Sequence, residues 1–255
     1  MSIIIDDLSY QDILKNISCT LNQGELIIVL GKNGAGKTTF LKNILTLLNP
    51  SSGHIMCDGT DIKLYSDFQR CKKISYIPQH KYIAWALTVR QMTALGALNQ
   101  GKTFTSFDKD DNHHLNDILK KCDLYDMHNR MIDTLSGGES MRLWIARCLM
   151  ARTPYIIADE PITGLDIDYQ FKIMNIFKDL TQKNHGCMMT LHDIGLALQY
   201  ADKILILDKN IPFIFDTPHN IIQSKILEAI FDVEIIQIDS GNQKNVLINP
   251  LLKQR

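Results

Sequence analysis

The first fifty residues alternate between short apolar runs and turn-forming polar stretches. Two runs, "SIIIDDLSY" at residues 2–10 and "GELIIVLG" at residues 24–31, are rich in isoleucine and leucine, and "LNQGE" separates them. Runs bounded by turn residues in this way predict strands of a sheet. From Lys37 to Leu48 the apolar side chains recur at helical spacing until "NPSSG" ends the pattern. The predicted order is therefore a strand, a glycine-containing loop and a helix.

The middle of the chain changes from strand patterns to helical ones. Short strands are predicted around "GHIMCDG" and "KKISYIP", and apolar positions then fall at helical spacing between Thr88 and Arg152. Three helices are predicted there, over residues 88–100, 110–124 and 136–152. The segment "GKTFTS", residues 101–106, is predicted to be an exposed connection between the first two helices.

Behind this helical segment the pattern returns to strands. The runs "PYIIADEP" and "CMMTLHD" are typical of buried strands, and a helix is predicted between them from about Asp166 to Lys183. A strand, a helix and a strand in that order imply a parallel sheet with a crossover connection. The tail alternates hairpin-like strands with a short helix. We therefore predict one α/β domain over residues 1–255, made of a catalytic α/β lobe (1–79 and 153–255) and an inserted helical lobe (80–152).

Composition and charge limit the classes of protein to which this sequence can belong. With 255 residues, of which 45% are hydrophobic, the chain can bury a substantial core. Its 27 basic and 28 acidic residues leave a formal net charge of -1, which argues against nucleic acid as a partner. Six cysteines without a C-x-x-C pair predict reduced core thiols of a cytosolic protein. The N-terminus lacks a signal-peptide pattern, and no apolar run reaches the roughly 20 residues of a membrane span.

The glycine-containing loop carries the first chemical motif. Gly31–Thr38, "GKNGAGKT", fits G-x-x-x-x-G-K-[ST] and lies between a predicted strand and a predicted helix. Glycines let successive backbone N–H groups face phosphate oxygens, and the start of the helix adds the positive end of its dipole. Lys37 adds a point charge and the Thr38 hydroxyl can ligate Mg²⁺. The alternative, a glycine-rich turn with an accidental lysine, is disfavoured by this context.

Acidic residues and a histidine follow the next two buried strands. Asp159 and Glu160 end "YIIADE", and adjacent residues of an extended chain point to opposite faces. Asp159 is therefore predicted to lie on the metal side and Glu160 to act as the general base toward water. A pair of solvated acids that opens the next turn remains an alternative. His192 ends the following strand, where a lone histidine is more often an ordinary surface residue.

A second glycine motif opens the last helix of the helical lobe. In "LSGGES", residues 135–140, Ser136 is a helix cap and Glu139 stands at capping-box spacing. The plain interpretation is a well-capped helix. A helix start with bare glycine amides is also an anion site. One chain therefore offers two helix starts that suit phosphate.

Together these motifs resemble the ATP-binding cassette (ABC) ATPases. The motifs that carry the resemblance are the loop at 31–39, Gln79 in "IPQH", "LSGGE" at 135–139, "YIIADEP" at 155–161, "GLD" at 164–166, and His192. They occur in the order of that family and cover most of residues 1–205. The resemblance implies an α/β phosphate-loop nucleotide-binding domain with a mixed β-sheet core and an inserted helical subdomain.

The resemblance also implies roles for individual residues. Catalytic roles in ATP hydrolysis are implied for Glu160, His192, Gln79 and Lys37. Nucleotide contacts are implied for Tyr10, Gly31, Asn33, Gly34, Ala35, Gly36, Lys37, Thr38 and Thr39. Thr38, Gln79 and Asp159 match the Mg²⁺ site. Ser136, Gly137 and Gly138 match the signature motif that closes on the nucleotide of a second copy, with Asp166 near the dimer seam. For Tyr10, predicted to stack on adenine, a core tyrosine is nearly as good an interpretation.

Some positions depart from the family pattern. Ser140 and Met141 stand where many relatives have glutamine or arginine, and Ile162 replaces a common threonine. None of these positions is a phosphate ligand by motif, so we expect ATPase function to be retained, and any effect of these departures is expected on dimer closure.

The resemblance implies partners as well. Less specific segments, among them "LTVRQMTALG" and "LHDIGLALQYADKILIL", resemble those of the ATPase subunits of importers for iron chelates, haem and cobalamin. The expected partners are a second copy in a head-to-tail dimer, integral membrane permease subunits and an extracytoplasmic substrate-binding protein. The chain is then expected at the cytoplasmic face of the cell membrane. Four large apolar residues follow Gln79 in a short space: Tyr82, Ile83, Trp85 and Leu87. Some of them are predicted to line a groove that receives a permease helix; the alternative is that they belong to the core of the lobe.

Other functions remain open from sequence alone. An ABC transporter for another cargo fits the same motifs. A soluble ABC ATPase of nucleic-acid or ribosome-linked processes usually carries a coiled-coil insertion or two cassettes, for which this chain lacks room. A non-hydrolysing regulatory module is disfavoured by the presence of Asp159, Glu160 and His192.

Overall fold

A computed structural model of the chain describes residues 1–79, 86–240 and 243–250. Its strands are β1 (Ser2–Tyr10), β2 (Leu14–Asn22), β3 (Leu26–Leu30), β4 (Ser52–Cys57), β5 (Thr60–Asp61), β6 (Ile74–Ile77), β7 (Tyr155–Asp159), β8 (Gly186–Thr190), β9 (Lys203–Ile206), β10 (Ile214–Asp216), β11 (Val233–Ser240) and β12 (Gln243–Pro250). Its α-helices are α1 (Lys37–Ile44), α2 (Asp67–Lys73), α3 (Val89–Ala94), α4 (Lys109–Lys121), α5 (Gly137–Met150), α6 (Ile167–Gln182), α7 (Ile194–Tyr200), α8 (Pro218–Gln223) and α9 (Ile226–Phe231).

The chain divides into two compact units. Unit one is Met1–Lys63 with Phe177–Arg255, and unit two is Leu64–Ile176. The predicted helical lobe, residues 80–152, begins and ends with the helical spacing of apolar residues. Unit two begins earlier and ends later, so it also contains β6 and β7. A catalytic lobe at 1–79 and 153–255 and a helical lobe at 80–152 stay predictions.

Unit one carries strands of three sheets, of which the smallest is the antiparallel pair β11 and β12. An antiparallel sheet has the strand order β2-β1-β4-β5. In the second sheet β3 pairs in parallel with β8 and β9, and β10 pairs antiparallel with β9. Every residue of β3 and β8 is buried, as expected for central strands of a parallel sheet. The predicted mixed sheet is confirmed.

Unit two carries the parallel pair β6 and β7 and the helices that follow. The start of α5 is predicted correctly, and Ser136 is its cap. The predicted helix over 88–100 is wrong in its second half, because Leu95–Gln100 forms a 3₁₀ helix. Gly96 lies so close to the Arg147 carbonyl that a side chain would not fit, which explains the glycine at the point where the α-helix ends.

Two elements of unit one also differ from the sequence prediction. The first helix ends at Ile44 rather than Leu48, because Thr46 adopts a left-handed φ of 57° and the Leu47 and Leu48 amides both donate to the Lys42 carbonyl. Asp193, predicted as a strand end, instead caps α7: its Oδ1 accepts from the Leu196 amide at 2.8 Å. The sequence pattern does not predict this helix because its seven residues are too few to show a clear helical period.

Three further observations bear on the sequence predictions. All six cysteines are free, and five of them are buried; only Cys71, in α2, is exposed. Among the described helices, none is both long and apolar enough to cross a membrane. Of the candidate permease groove, Tyr82, Ile83 and Trp85 lie outside the described residues.

Candidate functional site

The phosphate-loop motif adopts the strand, loop and helix order predicted for it. Gly34 and Gly36 have φ angles of 77° and 93°, a region that glycine enters without strain. A Cβ on Gly31 would lie 2.5 Å from the Leu207 carbonyl oxygen, and a Cβ on Gly36 would lie 2.8 Å from side-chain atoms of Ile13 and Leu14. Backbone conformation therefore favours glycine at Gly34 and Gly36, and close packing requires it at Gly31 and Gly36.

Lys37 begins α1 and is almost fully buried, with 6% of its surface exposed. Its ammonium donates to the Gly31 carbonyl at 2.7 Å and to the Lys32 carbonyl at 3.4 Å. Two backbone carbonyls of the loop thus hold the Lys37 ammonium. A buried ammonium that is solvated by neutral carbonyls, at the start of a helix, suits a phosphate group.

His192 lies at the same sheet edge as the phosphate loop. Strand β8 runs parallel to β3, and the Leu191 amide donates to the Val29 carbonyl at 3.2 Å. Both strands therefore end together, so that Gly31 and His192 follow neighbouring strand ends. The His192 side chain is exposed.

Tyr10 ends β1 and pairs with Leu14 across a hairpin. It is half-buried rather than a core residue, and its hydroxyl accepts from Gln11 Nε2 at 3.4 Å. The alternative of a fully buried core tyrosine is therefore wrong, while adenine stacking stays a prediction.

In unit two the predicted base and the predicted glutamine are in contact. Strands β6 and β7 are parallel and end at one edge, and Gln79 Nε2 donates to Glu160 Oε2 at 2.9 Å. Glu160 is 8% exposed and has a left-handed φ of 51°. Thr163 Oγ1 donates to the same carboxylate oxygen at 3.3 Å. Thr163 was not predicted from sequence, although its place three residues after Glu160, in a tight turn, is a signal that could have indicated it.

Asp159 precedes the base and is 1% exposed. The alternative of two solvated acids is therefore wrong for this pair. Tyr76 of β6 lies close enough that burial, and then the Asp159 charge, raise the pKa of its phenol to about 12. Tyr76 remains protonated at physiological pH, so it adds no second negative charge beside the carboxylate. Nothing in the sequence around "KKISYIP" indicated this contact.

The signature motif forms an exposed helix start. Ser136 Oγ accepts from the Glu139 amide at 3.3 Å, and Glu139 Oε2 accepts from the Ser136 amide at 2.8 Å. The hydrogen bond from the Ser136 amide is the largest reason that the pKa of Glu139 lies below its usual range. The positive charge of Arg130 lowers this pKa further. Ser136 and Gly137 are exposed, and a Cβ on Gly137 would meet no atom within 4 Å. The predicted capping box is confirmed, and the helix start is open to an incoming anion.

Two of the departures from the family pattern are buried. Met141 is 3% and Ile162 5% exposed. Both therefore contribute to packing inside unit two. Ser140 is half-buried, and its amide donates to the Ser136 carbonyl at 2.9 Å.

The donor chemistry of the site suits a nucleoside triphosphate with Mg²⁺. Backbone amides and an ammonium at the phosphate loop suit phosphate oxygens. The predicted metal ligands Thr38, Gln79 and Asp159 supply oxygen atoms, which Mg²⁺ prefers. Within the described residues no group of three or more His, Cys, Asp or Glu side chains could hold a metal ion.

Comparison with known proteins identifies the family. The sequence profile of the ABC transporter family matches residues 14–163, more than half of the chain. The achromobactin transport ATP-binding protein of Dickeya dadantii (strain 3937) is 29% identical over 226 residues, which cover 88% of this chain and 84% of that protein. The petrobactin import ATP-binding protein of Bacillus anthracis is 31% identical over 232 residues, covering 91% of this chain and 85% of that one.

Structural comparison agrees. One chain of a solved structure, described as an inward-facing conformation of an ABC transporter assigned to the metal-chelate type, superposes with a TM-score of 0.82 and 25% identity. The superposition covers 99% of this chain and 98% of that chain. Fold, motif order and sequence similarity coincide along nearly the whole length. The chain therefore belongs to the ABC transporter family, as an ATP-binding and ATP-hydrolysing cassette.

Proposed function

We propose that this chain is the ATPase subunit of an importer for an iron chelate, attached to the cytoplasmic face of the membrane through permease subunits. The observation that carries the cargo class is the similarity, over about nine tenths of the chain, to ATP-binding proteins named for achromobactin transport and petrobactin import. Haem and cobalamin are the alternative cargoes. A soluble ABC ATPase of nucleic-acid processes is disfavoured by the net charge of -1.

Hydrolysis is proposed to depend on four side chains. Glu160 takes the proton of the attacking water, and Gln79, which already donates to its carboxylate, orients that water. Lys37 neutralises charge that develops on the phosphoryl oxygens, and His192 contacts the γ-phosphate.

The metal site is proposed to consist of Thr38, Gln79 and Asp159. When bound, Mg²⁺ neutralises charge on the β- and γ-phosphate oxygens. Asp159 is 1% exposed, so it is not a solvated surface acid, which supports this assignment over that alternative.

The nucleotide is proposed to be enclosed between two copies. ABC cassettes work as dimers with membrane permeases, and we propose a head-to-tail pair in which Ser136, Gly137 and Gly138 of one copy complete the site of the other. Exposure of this helix start supports the proposal, since its amides are open to a ligand. A two-fold dimer then forms two equivalent composite sites.

Import is tested with the native complex. The tagged chain is purified from its own membranes with the permease that accompanies it, and the complex is reconstituted into vesicles with ATP. We expect uptake of radiolabelled iron bound to a catecholate or hydroxamate chelator, and no uptake with a Glu160→Gln complex as the control. Uptake of haem or cobalamin instead of the iron chelate would reassign the cargo, and copurification with nucleic acid or ribosomes instead of a membrane protein would refute the proposal.

The action of the signature in trans is tested with mixed dimers of tagged chains. A Lys37→Ala chain paired with a Ser136→Arg chain has both lesions in one composite site and leaves the other site whole, so we expect ATPase activity to return. The matched control pairs the double variant with wild type. If the signature acts in trans, this control has one lesion in each site and is inactive.

The opposite pattern, an active control and an inactive test pair, would show that the signature acts in cis. If neither pair is active, both sites must be intact together. A disulfide between cysteines introduced at positions 34 and 136 then distinguishes the arrangements: it forms between chains if the signature acts in trans, and within one chain otherwise.

A further inference from the structure

Arg142 is an unusual residue in the second turn of the signature helix α5. Only 7% of its surface is exposed, and within the described part of the chain its Nε makes no hydrogen bond. A buried guanidinium ordinarily pairs with a carboxylate. Here it lies instead over the ring of Tyr169 in α6, with the guanidinium carbon 4.3 Å from the ring centroid. That distance is well within the range of a cation–π interaction.

The Tyr169 ring is itself held in place. The Lys172 ammonium lies 4.8 Å from the same centroid and donates to Asp123 Oδ2 at 2.8 Å. The Asp123 hydrogen bond and charge raise the pKa of Lys172. Asp123 is the second residue after α4, so the Lys172 ammonium beside the ring is anchored to the segment that follows α4.

The stack joins the two segments of unit two that carry functional motifs. Arg142 lies six residues after Ser136, and Tyr169 lies three residues after Asp166. A second contact lies closer to the motifs: a Cβ on Gly138 would be 3.3 Å from Leu165 Cδ2, so the signature turn packs directly against the "GLD" turn. Together the two contacts fix both the start and the second turn of α5 against the start of α6.

We propose that Arg142 and Tyr169 are positioning residues, which hold the signature helix against α6 so that its first turn meets the nucleotide of the partner copy in a productive orientation. The inference rests on the proposed action of the signature in trans. Neither side chain touches the nucleotide. Their stacking energy is needed at dimer closure, because a signature helix that can tilt must be ordered at that moment.

The test compares ring removal with ring conservation. Tyr169→Leu removes the ring at similar volume, Tyr169→Phe keeps it, and Arg142→Lys keeps the charge without the flat guanidinium. Each variant is made in the wild-type chain, for kcat and KM of ATP hydrolysis, and in the Glu160→Gln chain, for the ATP-dependent monomer–dimer equilibrium. Tyr125→Leu is the matched control, because Tyr125 also stacks under a lysine, Lys120 of α4 at 5.1 Å, but lies outside the signature contact.

We expect Tyr169→Leu to weaken ATP-driven dimerisation about tenfold and to lower kcat by a similar factor, as expected for loss of one partly desolvated cation–π contact. ATP binding by the monomer and the thermal midpoint should stay near those of Tyr125→Leu. Tyr169→Phe should behave as wild type, and Arg142→Lys should fall between Tyr169→Leu and wild type.

Equal dimerisation by Tyr169→Leu and Tyr169→Phe would overturn the proposal. So would a loss in Tyr169→Leu and Arg142→Lys that follows a lowered thermal midpoint and weakened monomer ATP binding, since that pattern indicates a purely structural role. If the Glu160→Gln chain itself fails to dimerise with ATP while the ring variants leave kcat unchanged, both this inference and the trans arrangement fail. Normal dimerisation of that chain with unaffected ring variants refutes only the inference.

Discussion

The Glu160→Gln chain is expected to hydrolyse ATP about 10²- to 10⁴-fold more slowly than wild type, the usual contribution of a general base. Glutamine has the shape of glutamate but cannot accept the proton of the attacking water. Its amide oxygen can still accept from Gln79 Nε2 and Thr163 Oγ1, which both donate to the carboxylate in the native chain. We therefore expect ATP binding to persist and an ATP-bound dimer to accumulate.

Phosphate release and gel filtration with ATP measure the two effects of Glu160→Gln. Glu234→Gln, an exposed change in β11 with the same loss of charge, is the matched control and should hydrolyse ATP normally. A Glu160→Gln chain that turns over at the wild-type rate, or that stays monomeric in ATP, would contradict the role of Glu160.

Replacing Lys37 with alanine is expected to abolish ATPase activity, with a loss of at least about 10²- to 10³-fold, the scale for removal of one preorganised donor. In the proposed mechanism the variant loses the positive charge beside the transferred phosphoryl group. It also leaves the Gly31 carbonyl without the ammonium that donates to it at 2.7 Å. ATP binding should therefore weaken together with kcat.

Lys32→Ala is the matched control, because it removes one positive charge from the loop but keeps the Lys37 ammonium. Lys32 belongs to the same loop, but its half-exposed ammonium faces Asp232 at 3.9 Å. Nucleotide binding and phosphate release should be close to wild type in this control. Equal losses in both variants would mean that only the local positive potential matters, and activity in Lys37→Ala would remove Lys37 from the mechanism.

Much of the site could be predicted because its signals are local in sequence. The phosphate loop needs a buried strand, glycines and a helix start, all within fifteen residues, and the capping box needs only Ser136 and Glu139. The contact between Gln79 and Glu160 could be anticipated because both follow strands, and parallel strands end at one edge of a sheet. In each case periodicity and backbone conformation determine where the side chain lies.

The contacts that were missed depend on tertiary packing. The stack of Arg142 on Tyr169 joins residues on different helices, and no spacing rule relates an arginine of one helix to a ring on another. Gly138 was interpreted as a phosphate-facing glycine, but its closeness to Leu165 also serves helix packing. The early end of the first helix depends on the left-handed conformation of Thr46, which threonine rarely adopts.

The distribution of cysteines makes the chain suitable for site-specific labelling. Burial raises the pKa of Cys19, Cys122 and Cys148 to about 12, so these thiols supply almost no thiolate at neutral pH. Cys57 and Cys187 are completely buried. A maleimide dye or spin label should therefore react with native protein at Cys71 alone, on the surface of α2, and replacing that one residue with serine gives a background in which introduced cysteines are the only reactive thiols.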